Sequence, residues 1–204
     1  MVAKKSVTAR TPLGRELIAS TAADMIDELG VEGVTMRSVA ARLGVSAMAL
    51  YHHVEDKDEL LRMVGDDLLG QIELPDPDSA DVRDLFIAVA TSAMDALRSV
   101  PGLSSVVLTS KLLPNARDML LYCIHLFERA GLDREAAHEA YAAIHQLVVG
   151  RLLIEESANF QVTRVAQPDD EIADYIANLR SPKSFGSALS GVLDHYLPPR
   201  RRLR

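Results

Sequence analysis

The sequence predicts an all-α protein: a small N-terminal three-helix unit containing a helix-turn-helix, then a larger helical C-terminal domain. Three observations lead there. Apolar residues recur at the 3.6-residue helical period, with no convincing alternating strand. Thr, Ser, Asp and Pro stand where those periodic stretches begin, and Gly where they stop. The 204 residues are 48% apolar and 4% aromatic, enough to bury a core and too apolar for global disorder.

In chain order, Thr11-Pro12 opens the first helix, Pro occupying the position where a missing N–H costs least, and Gly30 closes it. Ile18, Ala22, Met25, Ile26 and Leu29 make its buried stripe. Thr35 caps a short second helix carrying Val39, Ala40 and Leu43, ended by Gly44. Ser46 caps a third, running to about His53. Asp56 starts a fourth, with Glu59 three residues on as a capping box and Leu60, Leu61, Val64 and Leu68 behind it. Pro75-Asp76-Pro77 cannot continue a helix and marks the expected domain junction. Beyond it the spacing predicts helices near 80–99, 103–112, 114–130, 133–157, 170–180 and 184–197, broken at Pro101-Gly102, Pro114, Gly131 and Ser181-Pro182, with a loop over 160–169.

Charge divides the chain further. Residues 1–64 hold eight Lys and Arg against nine acids, residues 65–199 hold ten against twenty, and 200–204 contain four arginines and no acid. The N-terminal quarter is therefore the part of the body least repelled by a polyanion. The expected organisation is a basic arm over 1–10, a helix-turn-helix domain over 11–74, a helical domain over 75–199 and a basic tail over 200–204.

Several function classes find no support. No G-x-G-x-x-G, G-x-x-x-x-G-K-[ST] or G-x-S-x-G motif occurs, and Cys123 has no C-x-x-C partner. His138-Glu139 starts like a helical zinc motif, but Ala142 holds the second ligand's place. No apolar run reaches the ~18 residues of a membrane span, and no apolar core follows Lys4, Lys5 and Arg10 as in a signal peptide. A single cysteine suits a reducing compartment. The expectation is a cytoplasmic protein that is not an enzyme, with no cofactor, no metal and no membrane partner.

Two short helices joined by a tight turn inside a three-helix unit describe a helix-turn-helix. Ala40 is small where the helices cross, Gly44 supplies the turn, and Val39, Leu43, Val45 and Leu50 are the apolar contacts that set the crossing angle. The segment Gly33-Val-Thr-Met-Arg-Ser-Val-Ala-Ala-Arg-Leu-Gly-Val-Ser-Ala-Met-Ala-Leu-Tyr-His-His-Val54, followed by Asp56-Lys57-Asp58-Glu59-Leu60-Leu61, resembles the DNA-binding domain of TetR-family transcriptional repressors. A Thr opening helix two, Ala-x-x-x-Gly-Val at the turn, Leu-Tyr-x-His in the third helix and a Lys after it all match. The match covers 13–62, with a looser likeness to the tetracycline-repressor branch over 98–157.

The resemblance implies a homodimer on a palindromic double-stranded DNA operator, released by a small-molecule inducer. It places Ser46, Ala47, Met48 and Ala49 against base edges, where three of the four lack strong hydrogen-bonding groups and so favour thymine methyls and water. His52 is the best donor there, and Tyr51 and His53 match phosphate-contacting and packing positions. Lys57 is expected at a phosphate, Thr35 and Arg37 at the neighbouring backbone, and Arg42 on a solvated face.

In the second domain, the apolar residues of 133–157, Ala140, Ile144, Leu147 and Ile154 among them, cover an arc of roughly 200°, twice the ~100° that one buried stripe needs. The surplus predicts a partner chain, met together with Phe185, Leu189, Val192 and Leu193 of the last helix beside the small Gly186, Ser190 and Gly191. Phe86, Met94, Val107, Met119, Tyr122, Phe127 and His145 are candidate walls of a ligand pocket, with Gln146 as a polar anchor. The tetracycline branch holds magnesium with a His in the segment matching about 104–112, and none occurs here, so no tetracycline–magnesium site is expected. The alternatives are a ligand-independent architectural DNA-binding protein, or a metal-binding protein or enzyme using His138 and His145.

Overall fold

A computed structural model describes residues 12–107, 113–157 and 170–197, and within these it contains ten helices and no strand. The chain's contacts separate into two units, Met1–Val64 and Gly65–Arg204. That division falls inside a helix, upstream of the Pro75-Asp76-Pro77 break. Thr11 and the loop over 160–169 lie outside the described residues.

The first unit begins with α1, Arg15–Gly33. Pro12 precedes it without joining it: the N-cap is Gly14, extended at φ −144°, and Arg15 is the first helical residue. Ile18, Ala22, Met25 and Ile26 are buried as the periodicity requires. Leu29, expected in the same stripe, is 55% exposed. Gly30 breaks the helix at φ 72°, and the following turn folds back until a Cβ on Gly33 would sit 2.7 Å from that of Leu29. Leu29 is thus left at a frayed end rather than on the packed face.

Helix α2, Met36–Leu43, starts with a reciprocal cap: Ser38 N–H donates to Thr35 Oγ1 at 3.1 Å, and Thr35 N–H donates to Ser38 Oγ at 2.9 Å. It ends on Gly44, left-handed at φ 68°, where Val45 N–H reaches Ala40 O at 3.0 Å. A residue with a Cβ is strained in that conformation. Helix α3, Ala47–Tyr51, is capped by Ser46, whose Oγ accepts from Ala49 N–H at 3.1 Å. It stops two residues short of His53, whose N–H closes a tighter i→i−3 turn on Leu50 O at 2.9 Å. Leu50, Val54, Leu60, Leu61 and Val64 are all buried. Helix α4, Lys57–Gly70, has the expected Asp56 cap on Glu59 N–H at 2.7 Å, but the Glu59 carboxylate reaches back to Glu55 N–H instead of Asp56 N–H.

In the second unit, α5 (Val82–Arg98), α6 (Leu103–Val107), α7 (Ala116–Arg129), α8 (Arg134–Glu156), α9 (Asp170–Arg180) and α10 (Pro182–Tyr196) follow the predicted order. Helix α10 starts before the expected 184, because Pro182 fits the first helical position and Ser181 caps it. Helix α8 is central, packing against α5, α6, α7, α9 and α10. Leu85, Phe86, Phe127, Ala140, Ile144 and Leu193 meet in one core, with the Phe86 and Phe127 rings 5.1 Å apart.

This packing uses part of the α8 arc within the chain, where five helices pack against α8. Ala140 and Ile144 are buried at 0% and 1% exposure, and Leu189 and Leu193 are likewise core residues. Only Leu147, Ile154, Phe185 and Val192 of the expected interface keep part of their surface open. Arg151, which interrupts the apolar run, is also buried. It pairs with Glu155 at 2.5 Å, donates to Leu179 O and Ser181 O at 3.3 and 3.2 Å, and lies over the Phe185 ring. One cation thus closes the end of α9 and seats α10.

Candidate nucleic-acid interface and cavity

Around α3 the caps leave a compact outward surface. Met48 is 69% exposed and Tyr51 50%, both unusual for side chains of this size. Ser46 and His52 are exposed, Ala47 and Ala49 half-buried, and Leu50 alone anchors the helix inward. A five-residue helix presenting nearly every side chain except one is built for display more than for packing. Thr35 and Arg37 are exposed at the start of α2, and His53 is half-buried.

Three cations near this surface are already engaged. Lys57 is half-buried, and its ammonium donates to Val31 O at 2.8 Å, tying the start of α4 to the last turn of α1. Arg42 pairs with Glu28 on the exposed side of α2, the solvated face expected of it. Arg15, read from the sequence only as part of a basic N-terminus, donates to His53 O at 2.5 Å and to Glu59 Oε1 at 2.7 Å. The N–H of Glu55 and the guanidinium together hold the Glu59 carboxyl below its usual range. No local spacing announces this contact, since Arg15 and Glu59 are 44 residues apart.

The second unit contains a cavity of about 370 Å³. Leu69 of α4, Phe86, Ala93 and Met94 of α5, Val107 of α6, Met119 and Cys123 of α7, and Tyr141, Ile144 and His145 of α8 are among its walls. Five of the expected residues, Phe86, Met94, Val107, Met119 and His145, line it. Three do not. Phe127 is fully buried against Phe86 in the core, Gln146 points from the exposed side of α8, and Tyr122 faces away with its buried hydroxyl unpartnered. The sequence reading also missed Tyr141, Cys123 and Leu69. Ala90, Ala93 and Leu97 were recoverable, since they continue the Phe86 and Met94 stripe at helical spacing.

The cavity disfavours charge. Burial pushes the Cys123 thiol up to about 12, raises the Tyr141 phenol and lowers His145, so all three are neutral at neutral pH. The Tyr141 and His145 rings stack at 5.7 Å, giving the wall its polar edge. His138, on the same helix, is exposed and does not line the cavity.

Helix α4 ends in this cavity. Val107 packs onto Gly65 so closely that a Cβ there would lie 2.2 Å from its methyl, and Leu69 contributes to the wall. Asp66, 8% exposed, accepts from Asn115 N–H at 2.8 Å and Ala116 N–H at 3.1 Å, capping α7, which provides no side-chain cap of its own.

Two capped short helices joined by a tight turn, the second of them exposed, have the geometry of a helix-turn-helix unit. Residues 18–64 match the family described as bacterial regulatory proteins, tetR family, and this stretch of the chain belongs to that family. It is 31% identical over 144 residues to an HTH-type transcriptional regulator of Saccharopolyspora erythraea, covering 70% of this chain and 61% of the relative. It is 32% identical over 139 residues to the HTH-type transcriptional repressor DrrR1 of Streptomyces coeruleorubidus, covering 65% and 50%. The chain therefore spans between half and two thirds of those relatives' lengths. Its fold superposes on the TetR family protein ActR of Streptomyces coelicolor, solved in complex with (S)-DNPA, with a TM-score of 0.72 over 91% of this chain and all of that one at 21% identity. Among the described residues no helix is long and apolar enough to cross a membrane.

Proposed function

We propose that this chain is a cytoplasmic DNA-binding transcriptional regulator: a repressor that binds a palindromic operator as a homodimer and is released by a small organic inducer. The observation that carries the reading is the display of Met48, Tyr51 and His52 on a capped helix with a single buried anchor. In this reading Ser46 to Ala49 and His52 face base edges, while Tyr51, Thr35 and Arg37 hold phosphates. Lys57 keeps two donors after its bond to Val31 O and offers them at the start of α4.

The dimer reading draws on the open surfaces of α8 and α10. Among the described residues, a Cβ at Gly150, Gly186 or Gly191 would meet nothing within 4 Å, so their small size serves no packing there. It suits close approach of a second copy. Because Leu189 and Ile144 are core residues, changing them tests folding rather than pairing. Gly191→Arg is the cleaner probe, and in light scattering it should convert a species of twice 22.3 kDa into one of 22.3 kDa with unchanged helix content.

The cavity, on this reading, takes the inducer. Its walls are apolar and its titratable groups neutral, which favours an uncharged or weakly polar organic molecule. Gly65, Asp66 and Leu69 mount the last turn of α4 on the cavity, and α4 begins at Lys57, beside the recognition helix in sequence. A ligand that shifts Val107 or α7 turns α4 as a lever. Linkage then requires operator DNA to weaken ligand binding by the same factor, and about 3 kcal/mol of coupling corresponds to roughly 150-fold. Val107→Trp should fill the cavity and abolish the response while operator binding and dimerisation persist. Sequencing the genomic fragments that the purified protein selects tests the whole reading, and failure to enrich any duplex would overturn it.

A further inference from the structure

Helix α3 has a well-made entrance and a borrowed exit. Ser46 caps its start locally, whereas the carbonyl of His53, just past its end, is held by Arg15 from the start of α1 at 2.5 Å. The same guanidinium binds Glu59 Oε1 at 2.7 Å, and the second carboxylate oxygen of Glu59 accepts from Glu55 N–H at 2.5 Å. One planar fork thus joins α1, the segment leaving α3 and the first turn of α4. A five-residue helix cannot define its own axis by internal hydrogen bonds, because the i→i−4 ladder barely begins. Its orientation has to come from Leu50 on its inner side and from whatever holds its two ends.

We propose that Arg15 is a positioning residue for the recognition helix. It supports operator binding by holding the α3 exit through His53 O and Glu59, and makes no phosphate contact of its own. The inference rests on the DNA-binding reading above. It assigns a cation beside the DNA-facing surface to an internal clamp, and it gives an acid, Glu59, a role in favour of binding a polyanion. Charge alone predicts the reverse for Glu59.

The two roles separate experimentally. Arg15→Gln, Arg15→Lys and Glu59→Gln are compared with wild type on a duplex selected by the wild-type protein, across a salt series, with circular dichroism confirming helix content. As a clamp, Arg15→Gln and Glu59→Gln each weaken binding about tenfold at every salt concentration with the log–log salt slope unchanged, and the double variant is no weaker than either single one. Arg15→Lys, which keeps the charge but loses the fork, behaves like Arg15→Gln. As a phosphate contact, Arg15→Gln would lower the slope by about 0.9, Arg15→Lys would stay near wild type and Glu59→Gln would bind more tightly; that pattern overturns the proposal. Hydrogen exchange on the free protein gives a readout independent of DNA. The Glu55 amide should exchange at least about tenfold faster in Arg15→Gln, and unchanged protection there also overturns the clamp. If the wild type selects no duplex, the DNA-binding reading fails, and the Glu55 exchange rate still decides whether Arg15 holds the segment.

Discussion

In the N-terminal unit, the helix starts that shape the exposed surface are closed from three residues away, Thr35 and Ser38 for α2 and Ser46 with Ala49 for α3. Around the cavity of the C-terminal unit, α5 and α8 are also capped locally, by Asp81 and Asp133, but the starts of α6 and α7 are closed at long range. Asp66 answers the N–H groups of Asn115 and Ala116, and Glu156 answers those of Ser104 and Ser105 at 2.7 and 2.8 Å. Local caps make a helix that keeps its shape whatever its neighbours do. Long-range caps make helices whose ends move only when another helix moves. A display surface benefits from the first arrangement, and a cavity that reports its contents to a distant helix benefits from the second.

Removing Asp66 should produce the largest effect. Asp66→Ala leaves two N–H groups at the start of α7 without their buried carboxylate, at a cost of about 3 kcal/mol. A lower urea midpoint, with the exchange protection of α7 lost before that of α1, would sharpen the contrast. A change below about 1 kcal/mol would break it. Thr35→Ala should cost less, about 1 kcal/mol, because only a solvent-accessible local cap is lost. Its loss of protection should stay confined to α2. The smallest effect concerns pH. Burial lowers the pKa of His145 below its ordinary 6.5, so the neutral form is favoured by folding. The stability this contributes is complete above pH 6.5 and is lost as pH falls through the folded value. His145→Gln should therefore flatten the decline of the melting temperature between about pH 6.5 and 5 relative to wild type. Parallel profiles for the two proteins would show that His145 does not report the cavity's dryness.

The exposed surface was more legible in the sequence than the cavity, and the reason lies in the same contrast. Thr35, Gly44 and Ser46 act on residues three to five positions away, so their types and spacing carry the geometry. For the cavity, helical periodicity identified apolar faces, and Phe86, Met94, Val107, Met119 and His145 do meet around one space. Periodicity does not say which neighbour an apolar face meets. Phe127 and Ile144 read alike on their helices, yet one closes the core and the other also lines the cavity.

By itself the sequence determined the all-α class, the order of the helices, and the turn at Gly44 with the caps on either side. Each of these depends on torsional preference and on hydrogen bonds that span a few residues, and such information is local. Only the tertiary structure decided that Arg15 begins α1 and holds His53, that Asp66 is a buried cap rather than a solvated acid, and that on α8 Ala140 and Ile144 are buried within the chain while Leu147 and Ile154 stay partly open. Those outcomes depend on which distant segments come together. A side chain reads the same in sequence whether its neighbour is water or another helix, and packing alone settles which it meets.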